Sequence, residues 1–484
     1  MYSYVSIDLY QEALQHHELL TEQESKQFCI FWRATDIERE CRQVLRSHPT
    51  GSKPRHITSD ILDRCKGRDQ AGLDKLFKKR MNQFDTALAK PGGEIKSVLV
   101  ERIGRAYATD LWGELMNIEP DAHVWCTSCE QECLAHPPPA VRSARKYMNC
   151  SGNICVPWSA LGNRLGWLHQ ATLPFLCWLR DLVKQEPDVI VQECTANFDG
   201  QFYASLIDHS YAVKFVRFSP VQLGLPVRRL RMYSIAVRKD RFVFKVPWSM
   251  SSFNDFMWRP VQMAVTEYFR SPNSLLNQRK QELAVLANLP DGLPWPLYLT
   301  SAERHRLEGH EMQAVDLCLG FAVSNIKQNA NFMPPATVMP AFTTKSTDLW
   351  GIGCLSSWVG FPRPLLGYEQ LGVHGYPILL DADNNLTKLL PRLFTFRNVF
   401  LAEDALPDAS FKRLAGNGMH LAAVGVALTF AVMDVWPSCS ASQVNAALAV
   451  EEPPHKRARK GSAPVMRKPG AAVMRKPAAA MSSS

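Results

Sequence analysis

The sequence predicts an α/β fold, a parallel sheet with crossover helices, joined to a smaller irregular subdomain. Three observations predict it. Short apolar runs alternate with longer helix-like ones, as in Phe28-Cys29-Ile30-Phe31-Trp32 followed by Glu38 to Leu45. The run Val189-Ile190-Val191 follows a helical pattern from Trp167 to Lys184, and strand, helix, strand at this spacing favours parallel strands. From about Ser249 to Trp358 the pattern loosens, with many Pro, Asn and Met residues, which places a separate unit there.

Other elements follow in order. Lys146 to Asn149 reads as a strand. Met232 to Val237 and Phe242 to Val246 flank Arg238-Lys239-Asp240-Arg241 and read as a β-hairpin. Ser301 to Met312 reads as a surface helix with Thr300 or Ser301 as N-cap.

The 484 residues are 46% hydrophobic, 21% charged and 10% aromatic. That is globular composition, which excludes wholesale disorder, collagen and a disulfide miniprotein. At roughly 150 residues per domain, two or three units are expected, or one large α/β domain with insertions. The longest apolar run, Leu421 to Met433, is too short to span a bilayer, and no membrane partner is expected. The first thirty residues are polar and lack the apolar core of a signal peptide. Thirteen cysteines, an odd number, then suggest reduced thiols in a soluble intracellular protein that is not secreted.

The net charge of +9 is unevenly placed. Residues 451–484 carry eight Lys or Arg against two Glu, a net +6, and leave +3 for the other 450. This tail is rich in Pro and Ala, lacks periodic hydrophobicity and repeats Val465-Met466-Arg467-Lys468-Pro469 as Val473-Met474-Arg475-Lys476-Pro477. It cannot bury enough apolar surface to offset chain entropy, so it is expected to be disordered. Its cluster Lys456-Arg457-Ala458-Arg459-Lys460 suits a nuclear localisation signal, a non-specific phosphate contact or a solvated end. A nuclear protein is expected, and otherwise a cytoplasmic one.

Four segments carry candidate chemistry. Cys155 lies amid Gly and Pro in Gly152-Asn153-Ile154-Cys155-Val156-Pro157-Trp158-Ser159, between a strand and an expected helix start. Backbone N–H groups there can activate a thiol, although a lone Cys also serves as a small buried hydrophobe. Glu193 ends the apolar strand of Pro187-Asp188-Val189-Ile190-Val191-Gln192-Glu193, one strand–helix–strand unit later. It would share a sheet edge with Cys155, or merely cap the next helix. Arg229 and Arg231 share one face of an extended segment, suiting phosphate, a carboxylate or a polarised carbonyl, or forming a solvated charge run. Finally, Cys126, Cys129, Cys133 and His136 offer four zinc ligands within eleven residues, or else reduced thiols in a loop.

In order and spacing the first three of these segments, and not the Cys/His cluster, resemble the cytosine-5 DNA methyltransferase family. Cys155-Val156-Pro157-Trp158-Ser159 is similar to its nucleophile loop, Glu193-Cys194-Thr195 to its Glu-Asn-Val motif, and Val227, Arg229 and Arg231 to its Gln-x-Arg-x-Arg motif. Ala34-Thr35-Asp36-Ile37-Glu38-Arg39 and Ser59-Asp60-Ile61 resemble its paired acidic cofactor motifs. Arg363-Pro364-Leu365-Leu366-Gly367-Tyr368-Glu369 through Gly375-Tyr376-Pro377, then Ala415-Gly416-Asn417-Gly418-Met419, resemble its closing motifs. Leu299-Thr300-Ser301-Ala302-Glu303-Arg304 is a superficial imitation of the penultimate one.

The resemblance implies a Rossmann-like methyltransferase sheet and S-adenosylmethionine as methyl donor. It implies methylation of cytosine carbon 5, in DNA or alternatively RNA, with a catalytically silent nucleic-acid-binding relative as the other reading. Cys155 would attack carbon 6, Glu193 would stabilise the ring at N3, Arg229 would hold the base carbonyl and Arg231 would support the loop. Asp36 with Ile37 and Asp60 with Ile61 would bind the cofactor's ribose and adenine, and Asn417 would lie near its methionine end. Residues 1–248 would form the catalytic domain, 249–360 a target-recognition subdomain, 361–445 a return to the catalytic domain and 446–484 the tail. The family's first, Gly-rich motif has no counterpart. Ser6-Ile7-Asp8-Leu9-Tyr10 imitates its opening, but Gln11-Glu12-Ala13 follows where glycines would let the backbone approach a cofactor. Either that motif lies upstream of this chain or it is degenerate. Ile154, Cys194 and Val227 also replace the motif proline, asparagine and glutamine.

Overall fold

A computed structural model describes residues 33–35, 42, 54–65, 70–90, 94–137, 146–152, 155–159, 162–331, 333–342, 349–353, 360–376 and 407–437. Its first strands, β1 (Arg33–Thr35) and β2 (His56–Thr58), pair in parallel, with buried Ala34 opposite buried Ile57. A 3-10 turn over Ile61–Cys65 follows. Helices α1 (Gln70–Leu88) and α2 (Lys96–Met116) come next, and α2 buries Leu99, Ile103, Tyr107, Leu111 and Leu115 at helical spacing. Strands β3 (His123–Cys126) and β4 (Gln131–Leu134) form an antiparallel hairpin.

The central sheet has the order β5-β6-β8-β7 and is built from β5 (Met148–Gly152), β6 (Val189–Thr195), β7 (Tyr211–Phe218) and β8 (Arg231–Arg238). Helix α3 (Thr172–Gln185) links β5 to β6, which are parallel, as the alternation predicts. Helix α4 (Gly200–Ile207) links β6 to β7. The sheet is not parallel throughout, because β8 runs antiparallel to both neighbours. The link from β7 to β8 lacks a crossover helix, and such a short return favours an antiparallel partner. The architecture is mixed α/β.

All seven residues of β6 are buried. Val189 and Val191 enter one core with Ile235 and Val237, whereas Ile190 and Cys194 enter a second with Met232 and Ala236. Burial on both faces explains why this strand reads as a continuous apolar run. Residues from α2, α3 and α4 line the second core.

Downstream lie β9 (Phe242–Phe244), α5 (Met250–Phe256), α6 (Asn273–Ala287), α7 (Ser301–Asp316), β10 (Phe321–Asn325), β11 (Leu349–Gly353), β12 (Arg363–Pro364) and α8 (Gly367–Val373). Helices α9 (Asp408–Asn417) and α10 (Leu421–Met433) and strand β13 (Val435–Pro437) complete the described chain. The expected hairpin of 232–246 does not pair with itself. Both edges of β8 are occupied by β6 and β7, so β9 pairs with β13 instead, Val243 opposite Trp436. The loosely patterned region is more regular than predicted, for β10, β11 and β12 form an antiparallel sheet. Trp295, Leu307, Ala322 and Trp350 belong to a small core beside it. Of the two N-cap candidates, Thr300 caps α7, and Glu303 returns the contact. Helix α10 packs into the first core, and among the described residues no single helix is long and apolar enough to cross a membrane.

Candidate active site at the β5–β6 edge

Cys155 emerges just beyond the end of β5, where Gly152 is opposite Glu193 of β6. Its carbonyl accepts from the N–H groups of Trp158 and Ser159 at 3.1 and 2.9 Å, so the segment is a turn. Among the described residues no helix begins there, contrary to the sequence expectation. Gly166 N–H donates to the Pro157 carbonyl at 3.0 Å. A Cβ on Gly162 would stand 2.0 Å from the Val156 carbonyl oxygen, so only glycine allows that approach. Beneath the turn, Trp158 packs edge-on against Phe198 at 4.7 Å and Trp167 at 5.2 Å. The Trp167 indole and Arg105 Nε both donate to Asp199 Oδ2, at 3.1 and 2.9 Å. Asp199 Oδ1 caps α4. The thiol thus rides a turn on a rigid aromatic floor.

Glu193 is 7% exposed. Arg231 faces Thr195 across the β6–β8 pair, and its Nε reaches diagonally to Glu193 Oε1 at 3.1 Å. Asp199, not Glu193, caps the next helix, which removes the capping alternative. Cys194 points into the second core, where full burial pushes its thiol well up, so it is no rival nucleophile.

The two arginines part company. Arg229 is buried and donates to the carbonyls of Phe342 at 3.2 Å and Gly418 at 2.6 Å, while its own N–H donates to Ser219 Oγ. It is therefore a tie between distant segments, the support role expected of Arg231. Arg231 instead is the cation beside the carboxylate.

Two histidines missed in the sequence complete this region. His374 and His420 are buried, with ring centroids 6.1 Å apart. Burial, then the charge of Arg229, pushes His420 down to about 3. Burial, Arg229 and His420 push His374 well below the usual imidazole range. Each stands alone in an apolar stretch, so no spacing marked it. Nearby, Arg363 makes a bidentate buried pair with Glu369, at 2.9 and 2.7 Å, within the segment read as a closing motif.

On the expected cofactor side, β1 and β2 end side by side, with Thr35 Oγ1 2.8 Å from Thr58 Oγ1. Asp36 and Ile37 lie outside the described residues. Asp60 is half-buried, and its Oδ1 accepts from Leu62 N–H at 2.9 Å over the turn that Ile61 opens. Two parallel strands that end side by side, with the Asp60 carboxylate just beyond one of them, are the arrangement at which open α/β sheets take nucleotide-like ligands. Asn417 closes α9, but its side chain lies outside the described residues.

The expected zinc quartet is corrected by one ligand. His136 is engaged elsewhere, with Nε2 2.9 Å from Arg64 Nη1 and Nδ1 3.3 Å from the Tyr147 hydroxyl. His56 takes its place beside Cys126, Cys129 and Cys133, whose ligand atoms with His56 all lie within 4.8 Å of one another. Burial and the neighbouring Cys126 and Cys133 sulfurs push the Cys129 thiol up to about 12.

No protein-family model and no curated relative matches the chain. Among solved structures, it is similar to Entamoeba histolytica methyltransferase EhMeth, with 13% identity over 60% of this chain and 78% of that one, and a TM-score of 0.36. It is similar to S. pombe Dnmt2 methyltransferase at 16% identity, covering 58% and 77%, with a TM-score of 0.33. For a Spodoptera frugiperda DNMT2 mutant the figures are 14%, 61% and 82%, with a TM-score of 0.27. Likeness this loose bears on neither fold nor function.

Proposed function

We propose that the chain methylates carbon 5 of cytosine in nucleic acid, with DNA as substrate and S-adenosylmethionine as donor. The observation that carries this reading is the register of Gly152 with Glu193, which sets the Cys155 turn and the Glu193–Arg231 pair on one sheet edge. The family-ordered motifs of the sequence support it.

Carbon 5 of cytosine is a poor nucleophile. Attack by the Cys155 thiolate forms an S–C6 bond, opens the C5–C6 double bond and pushes electron density onto C5. Glu193 holds the ring at N3 and the amino group, where charge changes as the adduct forms. Arg231 holds the Glu193 carboxylate in place. The turn's aromatic floor fixes the thiol's position, which such an attack demands. Asp60, with Asp36, would hold the donor, which supplies an electrophilic methyl group when bound; loss of the C5 proton to water then expels the Cys155 thiolate from C6 and restores the C5–C6 double bond. A base within a duplex must be flipped out to reach Cys155, and residues 249–360 are assigned the choice of target. The basic cluster at 456–460 suits delivery to the nucleus.

The test is covalent trapping on duplex DNA containing 5-fluorocytosine, with S-adenosylmethionine present and the matching RNA in parallel. Wild-type chain is expected to form a denaturant-resistant adduct with DNA, and Cys155→Ser none. An adduct that survives Cys155→Ser places the nucleophile elsewhere. An adduct with RNA alone moves the substrate.

A further inference from the structure

We infer that His56, Cys126, Cys129 and Cys133 hold one zinc ion in a closed structural site that clamps the β3–β4 hairpin onto β2. Three sulfurs and one imidazole are a zinc donor set, and four protein ligands leave no open position for catalysis. A tetrahedral site with zinc–sulfur bonds of about 2.3 Å and a zinc–nitrogen bond of about 2.05 Å sets sulfur and nitrogen about 3.6 Å apart. Cys129 Sγ lies 3.6 Å from His56 Nδ1. The four donor atoms already lie within 4.8 Å, a separation that small rotamer changes close. Cys126 and Cys129 have the two-residue spacing of a zinc hairpin, and Cys129 N–H donates to Cys126 Sγ at 3.4 Å, a contact that orients and stabilises a thiolate ligand. All three cysteines are free. Zinc with three thiolates carries a net negative charge, and the charges of Arg55 and Arg33 reach His56 to offset it.

The location explains what such an ion would do. β1 and β2 have three residues each and the hairpin strands four, too few for independent stability. Backbone already joins them, since Thr127 N–H and its hydroxyl donate to the Ile57 carbonyl at 2.7 and 2.9 Å. An ion shared between His56 and the hairpin would convert binding energy into folding energy at this junction. His56 opens β2 while Asp60 follows its other end, so the ion would brace the strand from behind. Metal content is read without nucleic acid or methyl donor, so its outcome is separable from that of the proposed function.

The experiment measures zinc in full-length chain purified without chelators, then replaces it with cobalt(II) and records the visible and thiolate charge-transfer spectrum. One zinc per chain is expected, with the intense visible bands of tetrahedral cobalt. His136→Ala should keep both. Cys133→Ser should lose the metal, and His56→Cys should keep tetrahedral cobalt while gaining one thiolate's charge-transfer intensity, a readout immune to unfolding of the loss variants. The inference is overturned by metal-free wild-type chain that takes up no added zinc, by a Cys126–Cys129 disulfide in its place, or by metal lost with His136→Ala and unchanged in His56→Cys.

Discussion

Arg231 Nε lies 3.1 Å from Glu193 Oε1 on the diagonal of an antiparallel pair, and both side chains are nearly buried. The carboxylate's cation is therefore supplied by the neighbouring strand of the same sheet. Arg229, two residues away, is engaged by backbone carbonyls from two other segments.

Truncation at Arg231 should strand that carboxylate. Losing one partner of a buried pair costs about 3–5 kcal/mol, and partial exposure of Arg231 places this case at the lower end. Urea unfolding should show Arg231→Ala well below wild type and the double variant Glu193→Gln/Arg231→Met closer to it. Arg231→Lys keeps the charge without the fork and should be intermediate. Equal stability for Arg231→Ala and wild type would show that the pair is not formed in solution.

Glu369 is more deeply committed. It is fully buried, pairs with both terminal nitrogens of Arg363, and accepts from the N–H groups of Leu366 and Ser271 at 3.0 and 2.9 Å. Glu369→Ala should therefore cost about 3–5 kcal/mol or more, leaving a buried guanidinium and two backbone donors unanswered. Glu369→Gln should cost less, since it keeps acceptor capacity. Chemical denaturation of both variants checks the order.

What was legible in the sequence depended on distance along the chain. The run Val189-Ile190-Val191 announced a strand because both its faces are buried, and Thr300 or Ser301 announced a helix start because a cap acts within its own first turn. Partners far apart left no such mark. Phe242–Phe244 reads as a strand, but nothing local says that it pairs with Val435–Pro437 once β8 is saturated. His136 sits three residues from Cys133 and looked like the fourth metal ligand, whereas His56, 73 positions from Cys129, is the one the fold delivers. Likewise two arginines on one face of an extended segment could not reveal which would meet Glu193, because that follows from the register of β6 with β8.

Gly162 offers a way to disturb the nucleophile's turn while sparing the core. A Cβ there would overlap the Val156 carbonyl, so the turn carrying Cys155 must shift. Misplacing a reacting atom by about 1 Å can cost about 100-fold in rate. Gly162→Ala should slow 5-fluorocytosine trapping by at least about 10-fold, with the melting transition little changed. Trapping at the wild-type rate would show that the turn's position does not limit the attack.

His374 and His420 fix the direction of the acid response. Burial and the Arg229 charge keep both rings neutral in the folded chain, His420 titrating only at about 3. In the unfolded chain the same rings bind protons near about 6.5. Below that value the unfolded state holds more protons than the folded one, so their contribution is complete above it and declines as pH falls. The slope is about 1.4 kcal/mol per pH unit for each ring, persisting for His420 down to its folded value. His169 and His310 are also held down by burial, so wild-type chain has a steeper background that the variants share. Urea midpoints between about pH 7 and pH 5 should therefore fall less steeply in His420→Gln than in wild type, and less again in the His374→Gln/His420→Gln chain. Parallel slopes for all three chains would mean that the two rings are solvated in solution, and that Arg229 does not stand against them.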